Sequence, residues 1–335
     1  MNGTASTFVL LLGSAAAIYF ACEYFVNGVE WVGRKFAIGA QATGSILAAF
    51  GTALPESAIT LMAVAFGASD ARKAIGIGAA LGGPLVLATI AYAVVGLTLI
   101  ASRRRLPDGA AAASASRRLS ADQGWFLVIF AAKAALGVVA FAIKPWLGLV
   151  FLAAYAVYFR KEMRGAEGDE QPALDPLRIS PRDATPSTAA ALAQTIAALL
   201  VIFAASRVFV GQLDALAPVF GIRPQLLALL LSPIATELPE TLNAVIWVRQ
   251  GKHRLALANI SGAMMIQATV PTALGLFFTR WLFDAPLMLA ALVTMLAVGF
   301  LFLLFRAGRM SRGMLAGMAL FYVAFIAALR LFGLA

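Results

Sequence analysis

Apolar residues in this chain come in ten long runs separated by short polar breaks. With soft boundaries the runs cover 5–33, 41–66, 74–101, 124–142, 145–159, 187–210, 224–248, 255–279, 286–305 and 313–333. A helix needs about 20 predominantly apolar residues to cross a bilayer. The pattern therefore predicts ten transmembrane helices, the first long and the fifth short. Two segments interrupt the rhythm. Residues 102–123 are rich in Arg, Ala and Ser, and residues 160–186 mix both charge signs with Pro and Gly, as a flexible linker does.

Composition agrees with a membrane protein. Of 335 residues, 61% are hydrophobic and 13% charged, and the mean hydropathy is +0.88. A soluble domain carries about 25% charge. The net charge of +10 suggests nucleic acid at first sight, but the basic residues sit between spans, where they set orientation, so no nucleic-acid partner is expected. The first run lacks a basic leader and extends for a full span, so it is read as a helix that stays in place. One cysteine, Cys22, allows no disulfide framework. His253, the one histidine, lies in a basic loop and is expected to be solvated.

The loops sort by charge. Those after odd-numbered spans hold eighteen Lys and Arg, and those after even-numbered spans, with the C-terminus, hold seven. The positive-inside rule then puts the odd loops in the cytoplasm and both termini outside it. Lys133 falls within a span and is expected to snorkel. Arg outnumbers Lys 20 to 6 and Ala is abundant. That bias points to a GC-rich prokaryotic genome and hence to a plasma (inner) membrane.

The chain also repeats itself. Thr52-Ala53-Leu54-Pro55-Glu56 and Thr236-Glu237-Leu238-Pro239-Glu240 share Thr-x-Leu-Pro-Glu at an offset of 184. At that offset residues 25–56 and 209–240 align without a gap and match at ten of 32 positions. Five spans in each half mean that the second half enters the membrane inverted relative to the first. The domain reading is a first five-helix repeat over 1–160 with its motif region at 44–90, a cytoplasmic linker over 161–186, and a second repeat over 187–335 with its motif region at 228–274. Inverted repeats of this kind bind their substrates near the membrane midplane, at broken helices. Pro55 and Pro239 are expected to supply the breaks, because proline removes a helix hydrogen bond. A carboxylate at mid-membrane costs about 3 kcal/mol on insertion scales, so Glu56 and Glu240 call for a function.

Phe25-Val26-Asn27-Gly28 through Gly51-Thr52-Ala53-Leu54-Pro55-Glu56 resembles the first alpha-repeat of the sodium/calcium exchanger family, within the cation/calcium antiporter superfamily. Ala235 through Glu240, with Ala258-Asn259-Ile260-Ser261-Gly262-Ala263-Met264, resembles the second. The family pattern is Gly-Thr-Ser-Leu-Pro-Glu followed by Gly-Asn-x-x-Gly-Ser-Asn. The resemblance implies an all-α integral membrane fold of ten transmembrane helices in two inverted five-helix repeats. It also implies alternating-access exchange of Ca²⁺ for Na⁺ or another cation. By the same resemblance Glu56 and Glu240 match the calcium-holding acids, and Thr52 and Thr236 the threonines that line sodium sites. Gln267 stands at the amide or acid that completes the site, and Asn259 at the first Asn of the second pattern. The departures are equally plain. The motif serines are replaced by Ala53 and Glu237. Gly78-Ala79-Ala80-Leu81-Gly82-Gly83-Pro84 stands for the first Gly-Asn pattern, and Leu87 is read as the counterpart of Gln267. The chain thus reads as a divergent prokaryotic member.

Ca²⁺ takes about six to eight oxygens. Thr52, Glu56, Thr236, Glu237, Glu240 and Gln267 are the candidate cation ligands. Glu237 is either a third carboxylate ligand or a vestibule or helix-cap residue. Asn243, three positions past Glu240, either faces the cavity or bonds between helices, the second being preferred, and Asn259 is read as structural. Close carboxylates in a low dielectric hold protons readily, so H⁺ competes with Na⁺ as the counter-ion. The chain is expected to need no cofactor, to move Ca²⁺ against Na⁺ or H⁺, and to have the lipid bilayer and inorganic cations as partners. K⁺, Mg²⁺ or Mn²⁺ are alternative cargoes. A channel is disfavoured by the repeat, and an intramembrane enzyme by the lack of a metal or nucleophile motif. Glu23 and Arg207, mates at the repeat offset, are expected to pair. Glu30 and Asp214 are expected to be solvated, as is the acidic linker.

Overall fold

The computed structural model describes residues 2–66, 70–104, 106, 109–165, 174–216, 230 and 232–334. Arg105, Glu167, Asp169, Glu170 and Arg223 lie outside these residues, as do the repeat positions Phe220, Ile222, Gln225 and Leu231. Among the described residues every regular element is helical. In chain order they are α1 (Asn2–Lys35), α2 (Ala40–Ala42), a π-helical turn (Thr43–Ala48), α3 (Ala49–Ala65), α4 (Asp70–Val86), a second π-helical turn (Leu87–Ala91) and α5 (Tyr92–Ala101). There follow α6 (Gly109–Leu136), a 3₁₀ turn (Lys144–Leu147), α7 (Gly148–Gly165) and α8 (Thr188–Leu216). After residue 231 come α9 (Ser232–Thr236), α10 (Leu238–Arg249), α11 (His253–Phe278), α12 (Ala285–Arg306), α13 (Arg312–Ala316) and α14 (Ala319–Leu331).

Each of the ten apolar runs is mainly helical over its described part, although the fourth leaves helix after Leu136 and is irregular over 137–142. Seven helical stretches among the described residues are long and apolar enough to cross a membrane. Outward faces carry exposed Leu12, Phe20, Val128, Val157, Leu200, Leu303 and Leu320. Lipid solvates such a belt, and no aqueous face would tolerate so much contiguous apolar surface. The polar segment after the third run is more regular than its composition suggests. From Gly109 it extends α6, because its alanines favour helix and because one side of it is buried. Gln123 there donates to Tyr92 Oη and Ser261 Oγ, each at 3.0 Å.

Helix α11 is the axle of the molecule. It packs against α3, α4, α6, α7 and α10 and buries nearly every residue. Its closest crossing is with the first π-helical turn. Gly44 abuts Leu255 and Ala258, and Gly262 lies directly on the backbone of Ser45. No side chain fits between those two backbones.

The repeat mates α1 and α8 pack along one another and run antiparallel. Asn27 and Gly28 lie level with Gln194 and Thr195, while Phe25 and Leu199 meet at Gly51. This geometry corrects the expected Glu23–Arg207 pair. At a helical rise of about 1.5 Å per residue, antiparallel packing sets Arg207 roughly 10 Å beyond Glu23 along the axis. Glu23 instead pairs with Arg178 at 3.1 Å, and Arg207 lies over the Phe203 ring. Glu30 is likewise not solvated. It is buried, accepts from Trp247 Nε1 at 2.6 Å and pairs with Lys252 at 2.5 Å. His253 is also buried, at the start of α11.

The described part of the linker is docked. Asn27 donates to the carbonyls of Asp175 and Pro176 and accepts from the Arg178 amide. Trp31 Nε1 donates to the Asp175 carbonyl at 2.9 Å, and Leu177 is fully buried. A freely solvated linker is therefore wrong for residues 174–180. Asp183 accepts from Ser180 at 2.6 Å, and Glu162, on α7, accepts from Ser45 at 3.0 Å.

Candidate ion-binding site

The second Leu-Pro-Glu motif breaks its helix. Helix α9 ends at Thr236, Glu237 takes a non-helical turn, and α10 restarts at Leu238 with Pro239 in its first turn. Proline suits that position, since the first amides of a helix have no intrahelical partner. The restart aims the positive end of α10 at two carboxylates. Glu237 stands at the N-cap position and Glu240 in the first turn, where a helix dipole favours negative charge. Both are buried, at 0% and 1% exposure. Glu237 makes no side-chain cap on α10 and is fully buried. Its Oε1 accepts from Gln267 Nε2, on the middle of α11.

Opposite this pair stands Gly83 of α4. A Cβ at Gly83 would collide with Gln267 Oε1 and come within 3.0 Å of Glu237 Oε1. Gly83 is also the repeat mate of Gln267, at the offset of 184. The counterpart of Gln267 is thus Gly83 and not Leu87, which is buried among apolar side chains. The first repeat has given up its side chain here, and the second fills the space with an amide and a carboxylate.

The first motif is organised differently. Helix α3 runs unbroken through Pro55, and the irregularity lies upstream in the π-helical turn Thr43–Ala48. Pro55 therefore does not supply a break like that at Pro239. Thr52 is buried and donates to the Ala48 carbonyl at 3.0 Å. Thr236 is half-buried and donates to Pro233 O at 3.3 Å. Glu56 is placed on α3 by its backbone, and its side chain lies outside the described set. The structure thus brings Glu237 and Gln267 together, with Glu240 in the next turn of the chain. Thr52 stands on α3, one of the helices packed on α11.

Two residues gain weight over their sequence reading. Asn243 lies one turn after Glu240, is 0% exposed, and makes no hydrogen bond among the described residues through either side-chain atom. Among the described residues it makes no bridge between helices. An unbonded buried amide costs about 1–3 kcal/mol, so its oxygen joins the candidate cation ligands. Lys133 does not snorkel. It is fully buried, donates to the carbonyls of Ala80 at 2.7 Å and Gln267 at 3.3 Å, and lies over the Phe130 and Trp281 rings. Asn259 donates to the Glu240 carbonyl at 3.3 Å, in line with a structural role, while its buried Oδ1 makes no hydrogen bond among the described residues.

The family profile described as sodium/calcium exchanger protein matches residues 6–160 and 190–331. The chain belongs to the sodium/calcium exchanger protein family. It is a multi-pass membrane transporter and not an enzyme. Solved structures of the sodium-calcium exchanger NCX_Mj share its fold. The form soaked with 2.5 mM Na⁺ and 10 mM Sr²⁺ superposes with a TM-score of 0.75 at 20% identity, covering 97% of this chain and 99% of that one. The form soaked with 10 mM Na⁺ and zero Ca²⁺ gives 0.74 at 21% identity, covering 97% and 98%. No curated protein sequence matches the chain.

A substitution tests whether the void at Gly83 belongs to the exchanger's site. Gly→Ala inside a helix ordinarily gains about 1 kcal/mol. Gly83→Ala is expected to lose about 1–2 kcal/mol instead, because its methyl must displace Gln267, and to cut cation flux at least tenfold. Thermal unfolding in detergent and flux in proteoliposomes measure the two effects.

Proposed function

We propose that the protein is a secondary antiporter that exchanges Ca²⁺, or a closely related cation, for Na⁺ or H⁺ by alternating access. The observation that carries this reading is the buried set Glu237, Glu240 and Gln267 at a helix break, with Asn243 beside it. Carboxylate and amide oxygens suit a hard divalent cation, and a restarting helix stabilises their charge before the ion arrives. Thr52, Glu56 and Thr236 complete the set from the two motifs. The domain reading of two inverted five-helix repeats, 1–160 and 187–335, joined by 161–186, supplies two rocking halves around that set. With odd loops cytoplasmic, both termini lie outside, and the plasma membrane is the site of action.

The deciding experiment is uptake of radioactive Ca²⁺ into proteoliposomes under an imposed Na⁺ gradient, H⁺ gradient or neither. Gradient-driven uptake that requires Glu56 and Glu240 supports the reading. Flux indifferent to both gradients, or undiminished in Glu56→Gln and Glu240→Gln, defeats it. Replacing Ca²⁺ by Mg²⁺, Mn²⁺ or K⁺ in the same assay fixes the cargo.

A further inference from the structure

Two helices at the site contain an internal proline, Pro84 in α4 and Pro271 in α11. Proline has no amide hydrogen, so each leaves the carbonyl four residues earlier without its helix donor. Those carbonyls belong to Ala80 and Gln267. Lys133 Nζ donates to both, at 2.7 and 3.3 Å. One ammonium, delivered from α6, therefore bridges the proline-freed oxygens of two helices, one from each half of the chain. Freed backbone carbonyls are what broken-helix transporters use to hold monovalent cations. Here a covalently tethered cation fills the place.

The surroundings fit a cation. The ammonium lies 5.2 Å from the Phe130 ring centroid and 5.9 Å from that of Trp281. Both ring faces attract positive charge. Trp281 adopts φ +47, a conformation that costs an L-residue about 1–2 kcal/mol. In that pose its ring packs on Gly275, where a Cβ would collide with it, and its Nε1 donates to the Lys133 carbonyl at 3.3 Å. The same Gln267 that offers its backbone oxygen to Lys133 offers its side-chain amide to Glu237. The extra carboxylate of the second motif and the buried ammonium thus meet at one residue.

We propose that Lys133 is a built-in monovalent cation, occupying a position that would otherwise bind a mobile Na⁺ or K⁺, so that each transport cycle carries one fewer monovalent ion. The inference rests on the exchanger reading of this site. It also gives the replacement of a motif serine by Glu237 a physical role. With Glu56, Glu237 and Glu240 ionised, the site carries −3, and Lys133 leaves −2, the charge that one Ca²⁺ neutralises.

The test compares purified wild type, Lys133→Met, and Lys133→Met combined with Pro84→Ala and Pro271→Ala. The triple variant returns helix donors to both carbonyls. The readouts are radioactive Na⁺ and Rb⁺ bound per protein, and thermal stability in NaCl or KCl against choline chloride. Lys133→Met is expected to bind one more monovalent ion than wild type and to be stabilised by NaCl or KCl, and the triple variant to lose both properties. An unchanged ion count in Lys133→Met overturns the proposal. So does a Lys133→Met protein equally unfolded in metal salts and choline, since a mobile ion should replace the ammonium. The two readings fail separately. Wild type that moves no Ca²⁺ under any gradient refutes the exchanger assignment, whereas normal wild-type flux with no added ion in Lys133→Met refutes the tethered cation alone.

Discussion

Glu240→Gln is expected to abolish gradient-driven Ca²⁺ uptake while leaving the empty protein at least as stable as wild type. The two effects have opposite signs for one reason. Glu240 is buried at the start of α10, and taking a carboxylate out of water is costly. Gln keeps the shape and removes that cost, so thermal unfolding without Ca²⁺ should not fall. With Ca²⁺ the balance reverses. Removing one partner of a buried charge interaction costs about 3–5 kcal/mol, which is roughly 100-fold or more in affinity. The concentration dependence of uptake measures this loss. Ca²⁺ should also raise the melting temperature of wild type and not that of the variant, because a ligand stabilises only the state that binds it. A Glu240→Gln protein with wild-type uptake would remove Glu240 from the site.

Gly262→Ala is expected to be among the most disruptive single-methyl changes at the described glycines, and Gly78→Ala its harmless mate. The two glycines occupy the same place in the two repeats, at the offset of 184. A Cβ at Gly262 would collide with the backbone of Ser45, whereas one at Gly78 meets nothing within 4 Å. A flexible side chain can step aside, but the carbonyl of a π-helical turn packed on α11 cannot. Gly78→Ala should gain about 1 kcal/mol from helix propensity. Gly262→Ala should lose about 3 kcal/mol through forced separation of α11 from the first motif region. Thermal unfolding of the pair side by side checks both signs. Equal stability of the two variants would show that the backbones at Ser45 and Gly262 are not in close contact.

Much of the architecture was legible in the sequence because bilayer helices announce themselves by length and hydropathy. The ten runs are mainly helical where described, the fourth ending early at Leu136, and the offset of 184 aligns Gln267 with Gly83 and Gly262 with Gly78. The same offset misled where it was read as proximity. Glu23 and Arg207 are mates in the repeat, but antiparallel packing of α1 on α8 carries them apart. Symmetry relates positions and does not bring them into contact. The candidate carboxylates were legible from their cost in lipid, and the structure buries Glu237 and Glu240 as that cost requires. The burial of Lys133 is not legible in the sequence, because a lone lysine near a helix end usually reaches for water. The carbonyls of Ala80 and Gln267 and the rings of Phe130 and Trp281 help to keep it inside, and nothing local to residue 133 encodes those carbonyls. The only trace was Pro84 and Pro271, each four residues past a carbonyl whose identity matters only in three dimensions. The role of Asn243 is hidden for a similar reason, since whether a side chain finds a partner is invisible until the neighbours are placed.

Cys22 is fully buried on α1, with its thiol 3.8 Å from the carbonyl of Pro239. No other thiol exists in the chain. The protein thus comes with its own gauge at the seam between α1 and the broken motif. A membrane-permeant maleimide reaches that buried sulfur only when the packing around α1 opens, the seam with α10 included. Its labelling rate is then the fraction of time the seam stands open multiplied by the intrinsic reactivity of the thiol. Comparing that rate across ionic conditions turns an unmodified protein into a recorder of which ions hold the seam shut.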